Sequence, residues 1–177
     1  MFANKSTTLL GRIKHARLLY GDEAILCATY KGDTRYMKDS IVTHDLQSIP
    51  CLGITSLDEL FKDARYCNAK VIFLEEGQFF TGLTPFVKKV VELDKKQLTI
   101  VGLSATYLRD PFYEVVNLVA LADDVIKLNA ICMRCRDGTP AIFNQRITEV
   151  VANGNQDSLI GGIESYESVC RSHYLEI

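Results

Sequence analysis

Two adjacent carboxylates, Glu75 and Glu76, directly follow the uninterrupted apolar run Val71–Leu74. Such a run predicts a strand that is buried on both faces of a parallel sheet. Ligands of open α/β sheets bind beyond the carboxyl ends of the strands, so these two residues could handle a metal, a phosphate or a substrate hydroxyl. A solvated glutamate pair that merely closes a strand is the competing interpretation, since most charged residues are exposed.

A second group with chemical potential, Lys5-Ser6-Thr7, opens a segment whose apolar residues recur at helical spacing: Leu9, Ile13, Ala16 and Tyr20. A Lys-Ser/Thr pair that begins a helix is typical of the end of a phosphate-binding P-loop. There, backbone N–H groups and the lysine hold phosphate, and the hydroxyl binds Mg²⁺. Asn4 replaces the usual glycine, and the strand and first glycine of such a loop are not found between Met1 and Lys5. By itself the pattern is weak, because it occurs often by chance.

The third group consists of two C-x₂-[CH] pairs near the end of the chain, Cys132 with Cys135 and Cys170 with His173. Thiolate and imidazole pairs at this spacing wrap tetrahedral Zn²⁺, and four protein ligands make a closed, structural site. Ordinary free thiols are the alternative. The arrangement of four ligands within one part of the chain favours zinc.

The composition is that of an ordinary globular protein, with 47% apolar and 24% charged residues among 177 and a net charge of -2. This charge gives no reason to expect nucleic acid or an anionic membrane as a partner. No apolar run reaches the length of a membrane span, and no signal peptide is recognisable. We therefore expect a cytoplasmic protein whose cysteines are reduced or metal-bound.

Strand-like and helix-like segments alternate along most of the chain, which predicts a parallel sheet with right-handed crossovers in one α/β domain to about residue 129. Residues 130–177 form a second part, in which 141–143 and 149–151 look like a β-ribbon anchored by the metal. The other predicted elements are a strand at 23–30, a helix from the capping box at Ser56 to about Arg65, a helix after Thr84-Pro85, a strand at 98–103, a helix after Asp110-Pro111 with Phe112, Val115, Val116, Leu118 and Val119 inside, and a last strand at 125–128.

These groups together resemble one family, the cellular and poxviral type (type II) of thymidine kinase, over essentially the whole chain. The matching segments, in order, are Met1-Phe2-x-x-Lys5-Ser6-Thr7, Asp33-Thr34-Arg35-Tyr36, Thr43-His44-Asp45, Glu76-Gly77-Gln78-Phe79-Phe80, Pro111-Phe112, Cys132-Met133-x-Cys135 and Gly161-Gly162-x-x-x-Tyr166-x-x-Val169-Cys170-Arg171. The resemblance implies a P-loop (RecA-like) α/β domain at 1–129 that lacks its first strand. It also implies a zinc-binding lasso domain at 130–177.

The resemblance further implies an enzyme of nucleotide salvage that moves the γ-phosphate of ATP, held with Mg²⁺, to the 5′-hydroxyl of thymidine or deoxyuridine. Glu76 would be the general base, and Ser6 and Glu75 would serve Mg²⁺, Glu75 where the family usually has Asp. The phosphates would be held by Lys5, Ser6, Thr7, Asp33 and Arg35. The nucleoside would be held by Phe79, Leu103, Tyr107, Phe112, Asn144 and Tyr166, with the lasso as a lid. A homotetramer with structural zinc is implied as well.

Departures from the family pattern keep two other interpretations open. One alternative is a catalytically impaired homologue that acts as a binding or partner subunit, and it is motivated by Asn4, Glu75 and Ser104-Ala105. The family usually has Asp-Gly at the last of these positions. His173 replaces a usual cysteine but can still bind zinc. A zinc-ribbon module for nucleic acid is a weaker alternative, because the chain is nearly neutral.

Overall fold

The computed structural model of the protein describes residues 2–32, 40–43, 47–148 and 164–176. In chain order the elements are helix α1 (Lys5–Tyr20), strand β1 (Ile25–Tyr30), strands β2 (Ser40–Val42), β3 (Ser48–Pro50) and β4 (Leu52–Ile54), helix α2 (Asp58–Lys62), strand β5 (Val71–Leu74), helix α3 (Leu83–Val87), strand β6 (Gln97–Ile100), helix α4 (Tyr113–Val116), strands β7 (Ala130–Ile131), β8 (Pro140–Ala141), β9 (Phe143–Arg146) and β10 (Tyr166–Val169), and helix α5 (Arg171–Leu175).

The main sheet has four strands in the order β4-β1-β5-β6, and all of its pairings are parallel. Side chains along a strand alternate between the two faces, and both faces are covered by other elements. In β5, for example, Val71 and Phe73 enter one apolar cluster, whereas Ile72 and Leu74 enter the other. Burial on both sides explains the uninterrupted apolar run, and the predicted parallel α/β sheet is confirmed.

The two faces of the sheet are covered by different helices. On one face α1 buries an apolar stripe against β1 and β5, together with the β2–β3 hairpin: Leu9, Leu10, Ile13 and Ala16. On the other face lie α2 and α3, which supply Leu60, Leu83 and Phe86. The predicted helices at these places are confirmed, although α2 ends at Lys62 and a short 3₁₀ turn, Ala64–Tyr66, follows it.

The strand predicted at 125–128 is wrong. Residues 124–129 have no regular secondary structure, and Val125 and Ile126 are more than half exposed, at 55% and 54%. A strand needs a neighbour to receive its backbone hydrogen bonds. Among the described residues, β6 pairs only with β5 and its other side has no strand beside it. The apolar pattern of this segment is therefore not sufficient to make it a strand.

The helix predicted after Pro111 is real but short, and its packing was predicted only in part. It comprises α4 and the 3₁₀ turn Asn117–Ala120. Val115 and Leu118 pack on the core, whereas Val116 and Val119 are exposed. Residues three apart share one face of a helix, so 115 and 118 turn inward together while 116 and 119 turn away.

The C-terminal part contains two short antiparallel pairs, β7 with β8 and β9 with β10. The segment 141–143, which was predicted to form one strand of a ribbon, is divided: Ala141 ends β8 and pairs with β7, whereas Phe143 begins β9 and pairs with β10. The segment 149–151, which was predicted to form the second strand, lies outside the described residues. Within the described part of the chain, no helix has the length and apolar character needed to cross a membrane.

Replacement of Ile72 by Ala should destabilise the fold strongly. Ile72 is fully buried at the centre of β5, and shortening such a side chain costs about 2–5 kcal/mol of unfolding free energy. Ile126→Ala is the matched control, because Ile126 is 54% exposed, and we expect it to change the free energy by less than about 0.5 kcal/mol. Urea titration of both variants measures the difference; equal losses would contradict the described core.

Candidate active site and metal cluster

The N-terminus of α1 meets the carboxyl end of β5 through one short hydrogen bond. Ser6 Oγ donates to Glu75 Oε1 over 2.5 Å, and the Glu75 side chain is otherwise enclosed, with the residue 8% exposed. The Glu75 backbone N–H donates to the Ala28 carbonyl, which holds this residue against β1. Lys5 and Glu76 each adjoin a member of this pair in the chain. The structure therefore brings the first two sequence-predicted groups into one crevice.

Asn4 adopts the left-handed conformation that the usual glycine would supply, with φ 55° and ψ 29°. Asn is one of the residues that enter this region most readily. Its carbonyl accepts hydrogen bonds from both the backbone N–H and the hydroxyl of Thr8. The first N–H groups of a helix have no acceptor within the helix, so those at the start of α1 suit an anion. The substitution of Asn for glycine is thus compatible with a phosphate loop, and the impaired-homologue alternative receives no support.

Glu76 also has a left-handed backbone, with φ 56°, and directs the chain from β5 into the 3₁₀ turn Gly77–Phe79. Gln78 Nε2 donates to Glu76 Oε2 over 2.5 Å, and Gln78 Oε1 accepts the Leu103 backbone N–H over 3.0 Å. Gln78 thereby fixes the carboxylate of Glu76 to the loop that follows β6. We did not single out Gln78 from the sequence; its position two residues after Glu76 was the available signal.

Two glycines allow the 3₁₀ turn that contains Gln78 to pack closely against the end of β6 and the residues that follow it. A Cβ on Gly102 would lie 2.9 Å from Gln78 Oε1 and 3.3 Å from the Gln78 backbone nitrogen. A Cβ on Gly77 would lie 2.7 Å from Ile100 Cγ2. Both distances are shorter than ordinary contacts, so a side chain at either position would displace its neighbour. The bridge between Glu76 and Leu103 depends on this close packing.

The loop from Leu103 to Phe112 closes on itself. The Phe112 N–H donates to the Ser104 carbonyl, and the Thr106 N–H donates to the Asp110 carbonyl. The Thr106 hydroxyl accepts two further N–H groups, those of Leu108 and Asp110. Ala105 forms an isolated bridge with Pro111, so the Ser-Ala pair is accommodated where the family usually has Asp-Gly.

The aromatic residues predicted to hold a nucleoside fall into two groups. The rings of Tyr107 and Tyr166 are 6.1 Å apart, and the Arg146 guanidinium lies 5.7 Å from the centre of the Tyr107 ring. Near the carboxyl end of β5, the centre of the Phe79 ring lies 5.1 Å from the centre of the Tyr30 ring. Tyr166 lies on β10 and is buried, at 6% exposed. The structure thus joins loop and ribbon through Tyr107 and Tyr166.

The remaining predicted residues are placed as follows. Asn144 lies on β9, opposite Ser168 of β10, and Phe112 is half-buried at the end of the loop. Thr7 is exposed in the first turn of α1. Asp33 and Arg35 lie outside the described residues.

Cys132, Cys135, Cys170 and His173 converge, with ligand atoms all within 4.8 Å of one another. His173 Nδ1 is 3.4 Å from each of the three sulfurs, and the sulfurs of Cys135 and Cys170 are 3.8 Å apart. Tetrahedral zinc, with bonds of about 2.3 Å to sulfur and about 2.0 Å to nitrogen, requires S···N and S···S separations of about 3.5 and 3.8 Å. The cluster can therefore hold a metal ion, and its spacing is compatible with zinc.

The surroundings of Cys132 favour its thiolate. Burial raises the pKa of this thiol, but hydrogen bonds from the backbone N–H groups of Cys135 and Cys170 and from His173 lower it to about 6. The Cys170 N–H lies 3.3 Å from Cys132 Sγ. Thiolates are the form in which cysteines bind metals, so this backbone arrangement suits a ligand.

Cys132→Ser should lower the metal content of the chain and loosen the C-terminal strands. One of four ligands is lost, and the small apolar cluster around Cys132 and Val169 is too limited to hold this part alone. Cys67→Ser is the matched control, because Cys67 is exposed and lies outside the cluster. Metal analysis by mass spectrometry measures the outcome; one full zinc per chain in Cys132→Ser would mean that the ligand set is wrong.

Comparison with known proteins gives concordant matches over nearly the whole chain. The sequence model of the family "Thymidine kinase" matches residues 1–174. The chain is 39% identical to "Thymidine kinase a" of Arabidopsis thaliana, with 99% of this chain and 71% of that protein covered. It is 36% identical to the thymidine kinase of Yaba monkey tumor virus, covering 100% of this chain and 91% of the viral protein.

A vertebrate protein gives a similar result: the chain is 32% identical to "Thymidine kinase, cytosolic" of Gallus gallus, with 99% of this chain and 74% of that protein covered. The resemblance drawn from the motifs is thereby confirmed. From the extent of these matches, the chain belongs to the thymidine kinase family, whose members are transferases of the kinase type.

Proposed function

We propose that the chain transfers the γ-phosphate of ATP to the 5′-hydroxyl of thymidine, in nucleotide salvage, with deoxyuridine as a second nucleoside to be tested. The observation that carries the proposal is the hydrogen bond between Ser6 and Glu75, because it brings the start of α1 to the end of β5 beside Glu76. Phosphoryl transfer asks a protein mainly for positioning and for charge neutralisation, and this crevice offers both. The names of the relatives support the same reaction.

The phosphates of ATP are proposed to lie at the start of α1. Lys5 would contribute its ammonium group, and the N–H groups of the first turn, including that of Thr7, would donate to phosphate oxygens. Asp33 and Arg35 are carried over from the family pattern as further residues near the phosphates. Mg²⁺, when bound, would neutralise charge on the β- and γ-phosphates, with Ser6 as its ligand and Glu75 as the acceptor of the Ser6 hydroxyl.

Glu76 is proposed to take the proton of the 5′-hydroxyl as its oxygen attacks the γ-phosphorus and ADP leaves. A general base must lie within hydrogen-bond reach of that proton, so its orientation decides the rate. Gln78 Nε2 donates to Oε2 of Glu76, a contact that would help to orient the carboxylate. Gln78 is thus added to the proposed site as a positioning residue.

Thymidine is proposed to lie between the β5 end of the crevice and the C-terminal strands. Phe79, Leu103 and Phe112 would provide apolar walls, and the Tyr107–Tyr166 contact would close the pocket. Asn144, on the strand paired with that of Tyr166, would bring backbone N–H and C=O groups toward the base edge. Exclusion of water strengthens such hydrogen bonds and protects the phosphoryl group from hydrolysis.

The organisation of the chain is proposed on the same basis. Residues 1–129 would form the nucleotide-binding unit, and residues 130–177 the zinc-binding lasso, with zinc in a structural role. A cytoplasmic location is supported by the name of the chicken relative. A homotetramer is carried over from the family resemblance alone.

Glu76→Gln tests the proposed base. We expect phosphoryl transfer from ATP to thymidine to fall by about 10²–10⁴-fold, because the amide cannot accept the proton. Calorimetry should show thymidine binding within about threefold of the unaltered chain, since an amide replaces the carboxylate with little change in shape. Glu92→Gln, at an exposed position after α3, is the matched control and should leave transfer unchanged. Full turnover by the zinc-loaded Glu76→Gln chain would remove Glu76 from the mechanism.

Gly102→Ala tests the positioning of Glu76 by Gln78. The added Cβ would meet Gln78 Oε1 at 2.9 Å, so Gln78 should shift and release Glu76. We expect turnover to fall by about 10- to 100-fold, up to the loss of about 10²-fold that a misplacement of about 1 Å can produce. Gly11→Ala is the control, because a Cβ there meets nothing within 4 Å and α1 gains helix propensity. Unchanged steady-state turnover in Gly102→Ala would show that the close packing is not needed.

A further inference from the structure

Tyr174 connects the metal cluster to the loop that carries Tyr107. It lies on α5, directly after His173, and its hydroxyl donates to the Tyr107 carbonyl over 2.8 Å. Its backbone N–H donates to the carbonyl of Cys170, another cluster residue, over 3.0 Å. One residue therefore contacts the loop with its side chain while its backbone is fixed between two of the four potential metal ligands.

A stack of planar groups reinforces this connection. The Arg109 guanidinium lies 4.9 Å from the centre of the Tyr174 ring and 5.8 Å from that of Phe143. The rings of Phe143 and Tyr174 are 4.9 Å apart, and Arg171 covers Phe143 at 5.0 Å. Arg109 and Arg171 are both exposed whereas the two rings are half-buried, so these cation–π contacts lie at the solvent-facing edge of the junction between loop and ribbon. Arg109, with φ 73°, is the left-handed residue that turns the loop.

The internal hydrogen bonds of the loop determine its shape but not its position on the rest of the chain. Those bonds join Ser104, Thr106, Asp110 and Phe112 to one another and to their loop neighbours. The position is set by the two ends of the loop and by contacts with the C-terminal part, among which the Tyr174 hydroxyl and the Arg109 stack are specific. Because the acceptor is the Tyr107 carbonyl, this contact fixes the backbone from which the Tyr107 ring extends toward Tyr166.

We propose that Tyr174 and Arg109 are positioning residues that couple metal binding at the Cys3His cluster to the loop carrying Tyr107. The proposal rests on the proposed function in one respect, namely that this loop contacts the nucleoside. A helix of five residues such as α5 does not persist alone, so its ligands Cys170 and His173 must be held for Tyr174 to stay in place. Metal would then support nucleoside affinity as well as the stability of the ribbon.

Tyr174→Phe isolates the hydroxyl, because the ring and its stack with Arg109 are retained. We expect the KM for thymidine to rise roughly two- to tenfold, the effect of losing one hydrogen bond, while the KM for ATP and kcat stay nearly constant. Zinc content should equal that of the unaltered chain. Tyr20→Phe is the matched control: it removes a hydroxyl that accepts a bond from Gln97 at the far end of α1.

Hydrogen exchange of the loop gives a readout that does not depend on activity. In the zinc-loaded unaltered chain, the amides of Thr106 and Arg109 should be protected, and removal of zinc by a chelator should speed their exchange. In Tyr174→Phe this exchange should already be fast with zinc bound and should respond little to the chelator. Tyr20→Phe should behave as the unaltered chain does.

The outcomes separate this proposal from the proposed function. If the zinc-loaded chain phosphorylates no thymidine, the proposed function fails, and the exchange experiment still decides the coupling. If Tyr174→Phe retains both the thymidine KM and the zinc-dependent protection of the loop, the coupling proposal is overturned. Arg109→Lys, which keeps the charge and loses the planar stack, should show the same direction of change with unchanged zinc content; protection equal to that of the unaltered chain would exclude Arg109 from the coupling.

Discussion

The hydrogen bond from the Ser6 hydroxyl to the Glu75 carboxylate is the contact on which the candidate site depends. It joins two half-enclosed groups, since Ser6 is half-buried and Glu75 is buried at 8% exposed, and partial exclusion of water strengthens a hydrogen bond. Its partners lie far apart in the chain: Ser6 is in the first turn of α1, and Glu75 directly follows β5. The apolar stripe of α1 places the helix against β5, and this hydrogen bond adds a polar contact at the point where the first turn of α1 meets the residues beside Glu76.

The same crevice is linked to the C-terminal part through the residues before α1. Phe2 and Ala3 pack on the small apolar cluster that contains Cys132, Val169 and Cys170. The helix start that is proposed to hold phosphate therefore rests on the metal-binding part on one side and on β5 on the other. This arrangement gives the cluster a physical reason to influence the site, since a loosened ribbon would remove support from the segment that leads into α1.

The sequence predicted the elements whose signal is local. The apolar run at 71–74 was interpreted correctly because a strand buried on both faces contains no polar residues. Helix α1 was predicted correctly because its apolar residues recur every three or four positions. The metal cluster was predicted from the spacing of its ligands along the chain, a signal that does not depend on the surrounding fold. The strand at 125–128 was wrong because strand formation depends on a partner elsewhere in the chain, which a local pattern does not report.

The residues that sequence analysis missed act through contacts with distant parts of the chain. Gln78 matters because Leu103 donates to it, and Tyr174 because the Tyr107 carbonyl accepts from it. Neither partner can be inferred from residues adjacent in sequence. The sequence thus proposes a catalytic group by its type and its place after a strand, whereas the side chain that contacts this group became visible only with the fold.

Backbone strain on both sides of the crevice supports the view that its geometry is selected for a task. Asn4 and Glu76 both have positive φ, one before α1 and the other after β5. For a residue such as Glu this conformation costs on the order of 1 kcal/mol, and it persists only where surrounding contacts determine it. Around Glu76 those contacts are the Gln78 amide and the bond from Gly77 to the Val101 carbonyl. If Glu76 served only to close a strand, an extended backbone would be cheaper. The left-handed turn at Glu76 instead ends the strand and begins the 3₁₀ turn that brings the Gln78 amide into hydrogen-bond contact with the Glu76 carboxylate, an arrangement that suits a group whose orientation matters.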